Sequence, residues 1–418
     1  MGYFREKGLH LLHWSEQYTK TDMVYLAKGG GLLGLGQLVS MSAGFIMALL
    51  FANFLPKEVY GTYKFVLSVT AILSITTLSG MGTAVTRAVA RGFDGTMDEA
   101  QRTKTRWGLL GSMLSIIIAA YYSLGGDMVL AFSFFTVALF MPTMEAYGVY
   151  DSLLQGKKEF GTSIRYAVIS KILSIVAVGL TIVFTNNVVL ILLAYFLPFT
   201  GMRFLFLRRV RNKYKSNDTQ EEGADSFGKH LSAIGVLGTI AGQLDKLLVF
   251  HFLGAAELAA YAIITAPIDQ IKAFADNISK IALPKFSQQG AENIGHTIWR
   301  RMAVLIVGLA AITAVYWFIS PLVFKIFFSH YTAYTHLSQL FGLSIISFAL
   351  FIPLQILQAQ QETKRLYVVN ILTSTIQIGL SIVLVISHGL VGVVTARIIA
   401  RLINAIIYMI TLRTALQK

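Results

Sequence analysis

Arg397 and Arg401 stand four residues apart within a long apolar run, with Asn404 extending the same face. On a helix that spacing stacks the two guanidinium groups one turn apart. Guanidinium can clamp phosphate oxygens through paired hydrogen bonds. A second run carries Asp269, Lys272, Asp276 and Lys280 at spacings of three, four and four. All four share one helical face, and charges of alternating sign partly neutralise one another along it. That stripe reads as a polar cavity wall with Lys272 meeting an anionic headgroup, against the alternative of a neutral ladder that only joins helices. Lys280 can also extend its ammonium to an interface.

Further charges lie at comparable depth. Lys171 adds a cation from the first half of the chain, and Gln243, Asp245 and Lys246 lie close together in the second. Neighbouring residues point about 100° apart on a helix, so Asp245 and Lys246 cannot face one point. One lines the cavity while the other reaches an adjacent helix. Asp245, Asp269 and Asp276 are the candidates for ion coupling. A desolvated carboxylate can carry a proton, and one beside carbonyls can hold Na⁺. Each can equally serve as a fixed counter-ion for a Lys or Arg, the reading preferred for Glu145. Arg165 and Arg203 fall nearer the ends of their runs and read as interfacial anchors.

These charges need a scaffold because an ionisable side chain at mid-bilayer costs about 2.5–3.5 kcal/mol and so faces a cavity or a partner. Apolar runs fall at 29–54, 62–86, 107–124, 128–147, 164–184, 188–207, 230–253, 257–282, 302–324, 336–358, 366–386 and 389–412. Runs of roughly twenty residues match the hydrocarbon thickness of a bilayer, which predicts about twelve crossings. Lys and Arg collect in every second gap, as at Arg87–Arg106, Lys157–Lys158, Arg208–Lys215 and Lys364–Arg365. The gaps between, such as 125–127 and 185–187, hold none. That alternation predicts both termini in the cytoplasm.

Composition agrees. Of 418 residues 55% are hydrophobic and 13% charged, and the mean hydropathy is +0.64. Soluble domains carry about 25% charged residues. The net charge of +14 is explained by the basic loops and anionic headgroups, which argues against nucleic acid as a partner. Cys is absent, which excludes disulfides, thiolate nucleophiles and Cys-based metal sites. No Walker A motif and no metal-binding His spacing occur, and no cofactor is expected.

The expected organisation is a cytoplasmic N-terminal segment 1–28, a six-helix lobe 29–209, a flexible cytoplasmic linker 210–227, a second six-helix lobe 228–412 and a tail 413–418. The N-terminal segment reads either as an interfacial amphipathic helix or as a frayed tail. Two motifs recur about 200 residues apart: Phe54-Leu55 with Tyr63 returns as Phe252-Leu253 with Tyr261, and Leu154–Glu159 returns as Leu357–Glu362. An even number of crossings per half makes these parallel repeats. The predicted fold is an all-α membrane protein, two pseudo-symmetric six-helix bundles around a central cavity.

The segment Phe54–Tyr63, the Leu154-Gln155-Gly156 turn with its basic tail, and Asp245-Lys246 resemble the Wzx-type polysaccharide (O-antigen) flippases of the multidrug/oligosaccharidyl-lipid/polysaccharide (MOP) exporter superfamily. The resemblance spans nearly the whole chain in length, helix number and loop pattern. It implies translocation of an undecaprenyl-pyrophosphate-linked oligosaccharide from the inner to the outer leaflet of the bacterial plasma membrane, for surface polysaccharide biosynthesis. Its expected partners are that lipid, the bilayer, H⁺ or Na⁺, and other polysaccharide-assembly membrane proteins. Substrate contacts would fall to Arg397, Arg401, Lys246, Lys272 and Lys171. A cation-coupled multidrug exporter of the same superfamily is the alternative, although cationic drugs prefer an acidic or aromatic cavity. A membrane polymerase or glycosyltransferase needs a larger outer loop than the gap near 325–335 provides.

Overall fold

The computed structural model describes residues 23–288, 291–350 and 363–416, with side chains over 36–273, 302–349 and almost all of 365–414. The first 22 residues and the repeat motif at 357–362 lie outside the described residues. The long helices are α1 (Met23–Phe54), α2 (Lys57–Leu73), α3 (Met81–Ala90), α4 (Thr96–Leu124), α5 (Met128–Met144), α6 (Tyr150–Gly156), α7 (Phe160–Phe184) and α8 (Val188–Tyr214). The second half contributes α9 (Ala224–Leu253), α10 (Ala255–Gln288), α11 (Ala291–Phe327), α12 (Thr335–Gly342) and α13 (Thr363–Leu416). Among the described residues there is no strand, and nine helical segments are long and apolar enough to cross a membrane. Large apolar side chains such as Phe132, Phe135, Leu197, Phe318 and Ile386 cover the outside, where a bilayer would replace water. The chain is a multi-pass, all-α membrane protein.

Two crossings are broken where the sequence reads as continuous. The run 62–86 ends its first helix at Leu73, passes through a 3₁₀ turn at Ser74–Thr77 and a left-handed Leu78 (φ 56°), and restarts as α3. Ser74, Thr76 and Thr77 hydroxyls bond carbonyls three residues back at 2.6–2.8 Å. Hydroxyls competing for backbone acceptors in this way weaken a continuous helix. The ammonium of buried Lys104 donates to the Leu78 carbonyl at the break, at 3.4 Å. The run 336–358 likewise begins as α12 and tightens into a 3₁₀ segment at Leu343–Leu350. In α13 the backbone reverses at Gly389 (φ 55°, ψ −133°), which separates two crossings as the sequence predicts.

The halves meet at both ends of a shared interior. At one end α2 lies against α10 so closely that a Cβ on Gly61 would sit 1.7 Å from the Ala255 carbonyl oxygen. Phe65 stacks on Phe250 at 3.8 Å beside this contact. The Asn53 amide donates to the Phe327 carbonyl at 3.0 Å on the same side. At the other end the Gly80 N–H donates to the Ser232 hydroxyl at 2.9 Å, and Gly228 faces Met81 with no room for a side chain.

The segment between the halves is a strap rather than the flexible linker its polar composition suggests. Asp94, 0% exposed, accepts from the Ser216 N–H and the Lys157 ammonium, both at 2.7 Å. The Gly95 N–H donates to the Thr219 carbonyl at 2.9 Å, where a Cβ would strike the Asp218 carbonyl. Glu221 receives Arg91 at 2.7 Å and Arg87 at 3.4 Å. Lys215 reaches Asp98 at 2.6 Å. The charges that read as solvated linker are complementary to those on the α3–α4 turn, so the segment lies down on the first half.

Asp94→Ala would leave Lys157 and the strap backbone without a buried acceptor. The expected loss is about 3 kcal/mol, read as a lower unfolding temperature in detergent. Trypsin should then cut after Lys215, whose side chain is 12% exposed in the intact protein; unchanged cleavage would show that the strap is not held by these contacts.

Candidate functional site

Two cavities, of about 550 and 500 Å³, adjoin at Lys246 and Asp269, which line both. The first lies between the halves. Lys64 of α2, Lys171 of α7 and Arg203 of α8 face Lys246 of α9 and Asp269 of α10 across it. The second lies within the second half and is lined by Lys272, Arg397, Arg401 and Asn404.

An ionic knot holds α9, α10 and α13 together behind this space. Arg397 lies 3.3 Å from Asp245, 3.3 Å from Asp269 and 3.2 Å from the Tyr261 hydroxyl. The Tyr261 hydroxyl donates to Asp245 at 2.5 Å. Arg401 reaches Asp269 at 3.4 Å and donates to the Ser344 hydroxyl at 2.5 Å. Both guanidinium groups lie over the Phe341 ring, at 5.2 and 4.8 Å, a cation–π arrangement. Each arginine keeps 14% of its side chain exposed while Asp245 keeps 2%, so the carboxylate backs the cluster and the cations front it.

The sequence-predicted residues separate accordingly. Arg397, Arg401, Lys246, Lys272 and Lys171 all line one cavity or the other. Lys246 points into the chamber with its ammonium donating to Gln243 at 2.9 Å, while Asp245 turns to α10 and α13. Asp269 lines both cavities and joins both arginines. Asp245 and Asp269 are thus engaged by guanidinium, the geometry of counter-ions. The side chains of Asp276 and Lys280 lie outside the described residues.

Three contributors were not legible as such. Lys64 lies at the edge of its apolar run, where a lysine reads as interfacial, yet it lines the first cavity. Tyr261 appears in the sequence only as a repeat mark; a tyrosine sixteen residues after a buried aspartate carries no pairing signal. Arg203 reads as an anchor but lines the cavity, pairing with Glu145 at 2.9 Å and lying 4.0 Å from the Phe199 ring.

The charge balance of this space is positive. Lys272 is itself engaged; among the other described residues six basic side chains line the two cavities (Lys64, Lys171, Arg203, Lys246, Arg397, Arg401) against Asp151 and Asp269, and adding Glu145 and Asp245, which pair with the arginines, six minus four leaves a formal +2. Fixed cations in a low-dielectric cleft attract anions far more strongly than in water.

Two helical bundles with broken crossings thus enclose adjoining cavities whose charged lining is mainly cationic. The sequence profile of the polysaccharide biosynthesis protein family matches residues 26–290, and the chain belongs to that family. No curated protein sequence matches the chain. Among solved structures the fold is similar to the lipid II flippase MurJ in an inward closed conformation, with TM-score 0.73, 14% identity and coverage of 91% of this chain and 87% of that one. An inward-facing multidrug-resistance transporter of the MATE family gives TM-score 0.62 at 14% identity, covering 91% and 94%. A MOP superfamily transporter from Pyrococcus furiosus, described by a binding pocket of reverse polarity suggesting a different function, gives 0.57 at 14% identity, covering 94% and 96%.

A double-mutant cycle on Arg397 and Asp269 should give a coupling of about 1–2 kcal/mol in the unfolding free energy. Additive effects of Arg397→Gln and Asp269→Asn would show that the knot is not an energetic unit.

Proposed function

We propose that this protein is a flippase that carries a polyprenyl-pyrophosphate-linked oligosaccharide across the bacterial plasma membrane, from the inner to the outer leaflet. The observation that carries the reading is the net positive lining of two adjoining cavities, the first walled by both halves. A pyrophosphate brings the complementary charge. Membership of the polysaccharide biosynthesis protein family and the MOP fold, shared with a lipid II flippase, support the same reading. Alternation of basic and uncharged loops supports cytoplasmic termini in this scheme.

Lys246 is the residue we assign to first contact, because among the described residues it is the one cation that lines both cavities. Arg397 and Arg401, held by Asp245 and Asp269, form the pre-organised wall behind it. Binding between the halves gives each a share of the ligand, and rocking the halves about that ligand would expose it to either side in turn. The Gly61–Ala255 approach and the Phe65–Phe250 stack would then separate as the outer end opens. With Asp245 and Asp269 occupied by arginine, we assign them to charge compensation in this state. A multidrug exporter fits less well, since a cationic drug would meet like charge.

Charge reversal at Lys246 or Lys272 should abolish translocation while leaving membrane insertion and folded yield unchanged. Leaflet-resolved labelling of a lipid-linked sugar in reconstituted vesicles measures this directly. Wild-type flipping by Lys246→Glu would overturn the binding role.

A further inference from the structure

Besides its cations, the chamber between the halves carries a row of rings on its α8 wall. Tyr195, Phe199 and Arg203 follow one another at four-residue spacing, so they lie along one face of α8. Tyr195 stacks on Phe199 at 5.6 Å with the rings 14° apart, and the Arg203 guanidinium covers Phe199 at 4.0 Å. Glu145 and the Met144 carbonyl hold Arg203 in turn, at 2.9 and 2.6 Å. The row is therefore fixed before any ligand arrives. Tyr195 and Phe199 line both the chamber of about 550 Å³ and an adjoining cavity of about 390 Å³.

On α7, lining the same chamber, Ser170 is 8% exposed and its hydroxyl has no hydrogen-bond partner. Buried hydroxyls are normally satisfied, so one that faces a cavity calls for a polar ligand atom. An acyl chain would leave that hydroxyl unpaired, and a cationic aromatic drug would be repelled by the lysines nearby. A pyranose ring has an apolar C–H face suited to an aromatic ring and an equatorial rim of hydroxyls suited to Ser170. The chamber falls within the range of about 300–1,000 Å³ typical of small-ligand sites.

We propose that Tyr195, Phe199 and Ser170 form a sugar-binding subsite that receives a pyranose of the transported headgroup, beside the cations that take its phosphates. This rests on the flippase reading and adds to it: within one chamber the lysines take charge and the α8 rings take carbohydrate. Tyr195 and Ser170 would then set which lipid-linked glycans are accepted.

Two probes separate the subsite from the phosphate site in the full-length protein: farnesyl pyrophosphate, and farnesyl pyrophosphate bearing one N-acetylglucosamine. Wild-type protein should bind the glycosylated probe about tenfold more tightly. Tyr195→Ala should erase that margin and Ser170→Ala should reduce it about fivefold, with affinity for farnesyl pyrophosphate unchanged in both. Tyr195→Phe, which keeps the stacking ring, should retain most of the margin. Equal wild-type affinities, or variants that weaken both probes alike, would overturn the subsite alone. Failure of wild-type protein to bind either probe would overturn the phosphate-binding reading and the subsite with it.

Discussion

Carrying a guanidinium through a bilayer is tolerable only where something compensates it, and Arg397 determines how that is done here. Its three partners, Asp245, Asp269 and Tyr261, come from α9 and α10, while Arg397 itself comes from α13. One side chain therefore fixes the relative heights and rotations of three helices. Arg401, one turn on, shares Asp269 and reaches Ser344 in the 3₁₀ segment after α12. Two carboxylates for two arginines would give a neutral, dry joint. The lysines break that balance, since Lys64, Lys171 and Lys246 line the adjoining space. Excess fixed charge requires water or an anion, so the chamber follows from the charge count.

Around that constraint the halves are joined by contacts too close for side chains. Gly61 against Ala255 and Gly228 against Met81 bring helices together at opposite ends of the interior. Small residues at such points let bundles approach closely without locking them by hydrogen bonds. The strap at 215–223 serves a different purpose. By pairing with Asp94, Asp98, Arg87 and Arg91 it belongs to the first half. Gly223, with φ 79° and nothing within reach of a Cβ, immediately precedes α9.

Much of the architecture was legible because hydropathy and loop charge report directly on a bilayer. Helical crossings, the break near Gly389, and the inward placement of Arg397, Arg401, Lys246 and Lys272 all follow from period, length and the cost of burying charge. What the sequence hides is pairing. Nothing in the spacing joins Asp245 to Arg397, since that contact depends on how α9 and α13 pack. The break at 74–80 was hidden for another reason: hydropathy is blind to hydroxyls bonding their own backbone. The strap misled because solvated and complementary charge have the same composition.

The central claim is that fixed positive charge between the halves selects an anionic headgroup. The most direct measurement compares two lipids in vesicles reconstituted with the wild-type protein, a polyprenyl-pyrophosphate-linked sugar and the same sugar on an uncharged polyprenyl ether. Leaflet-resolved labelling should show protein-dependent transfer of the pyrophosphate lipid and none of the neutral one. Equal transfer of both would contradict the account.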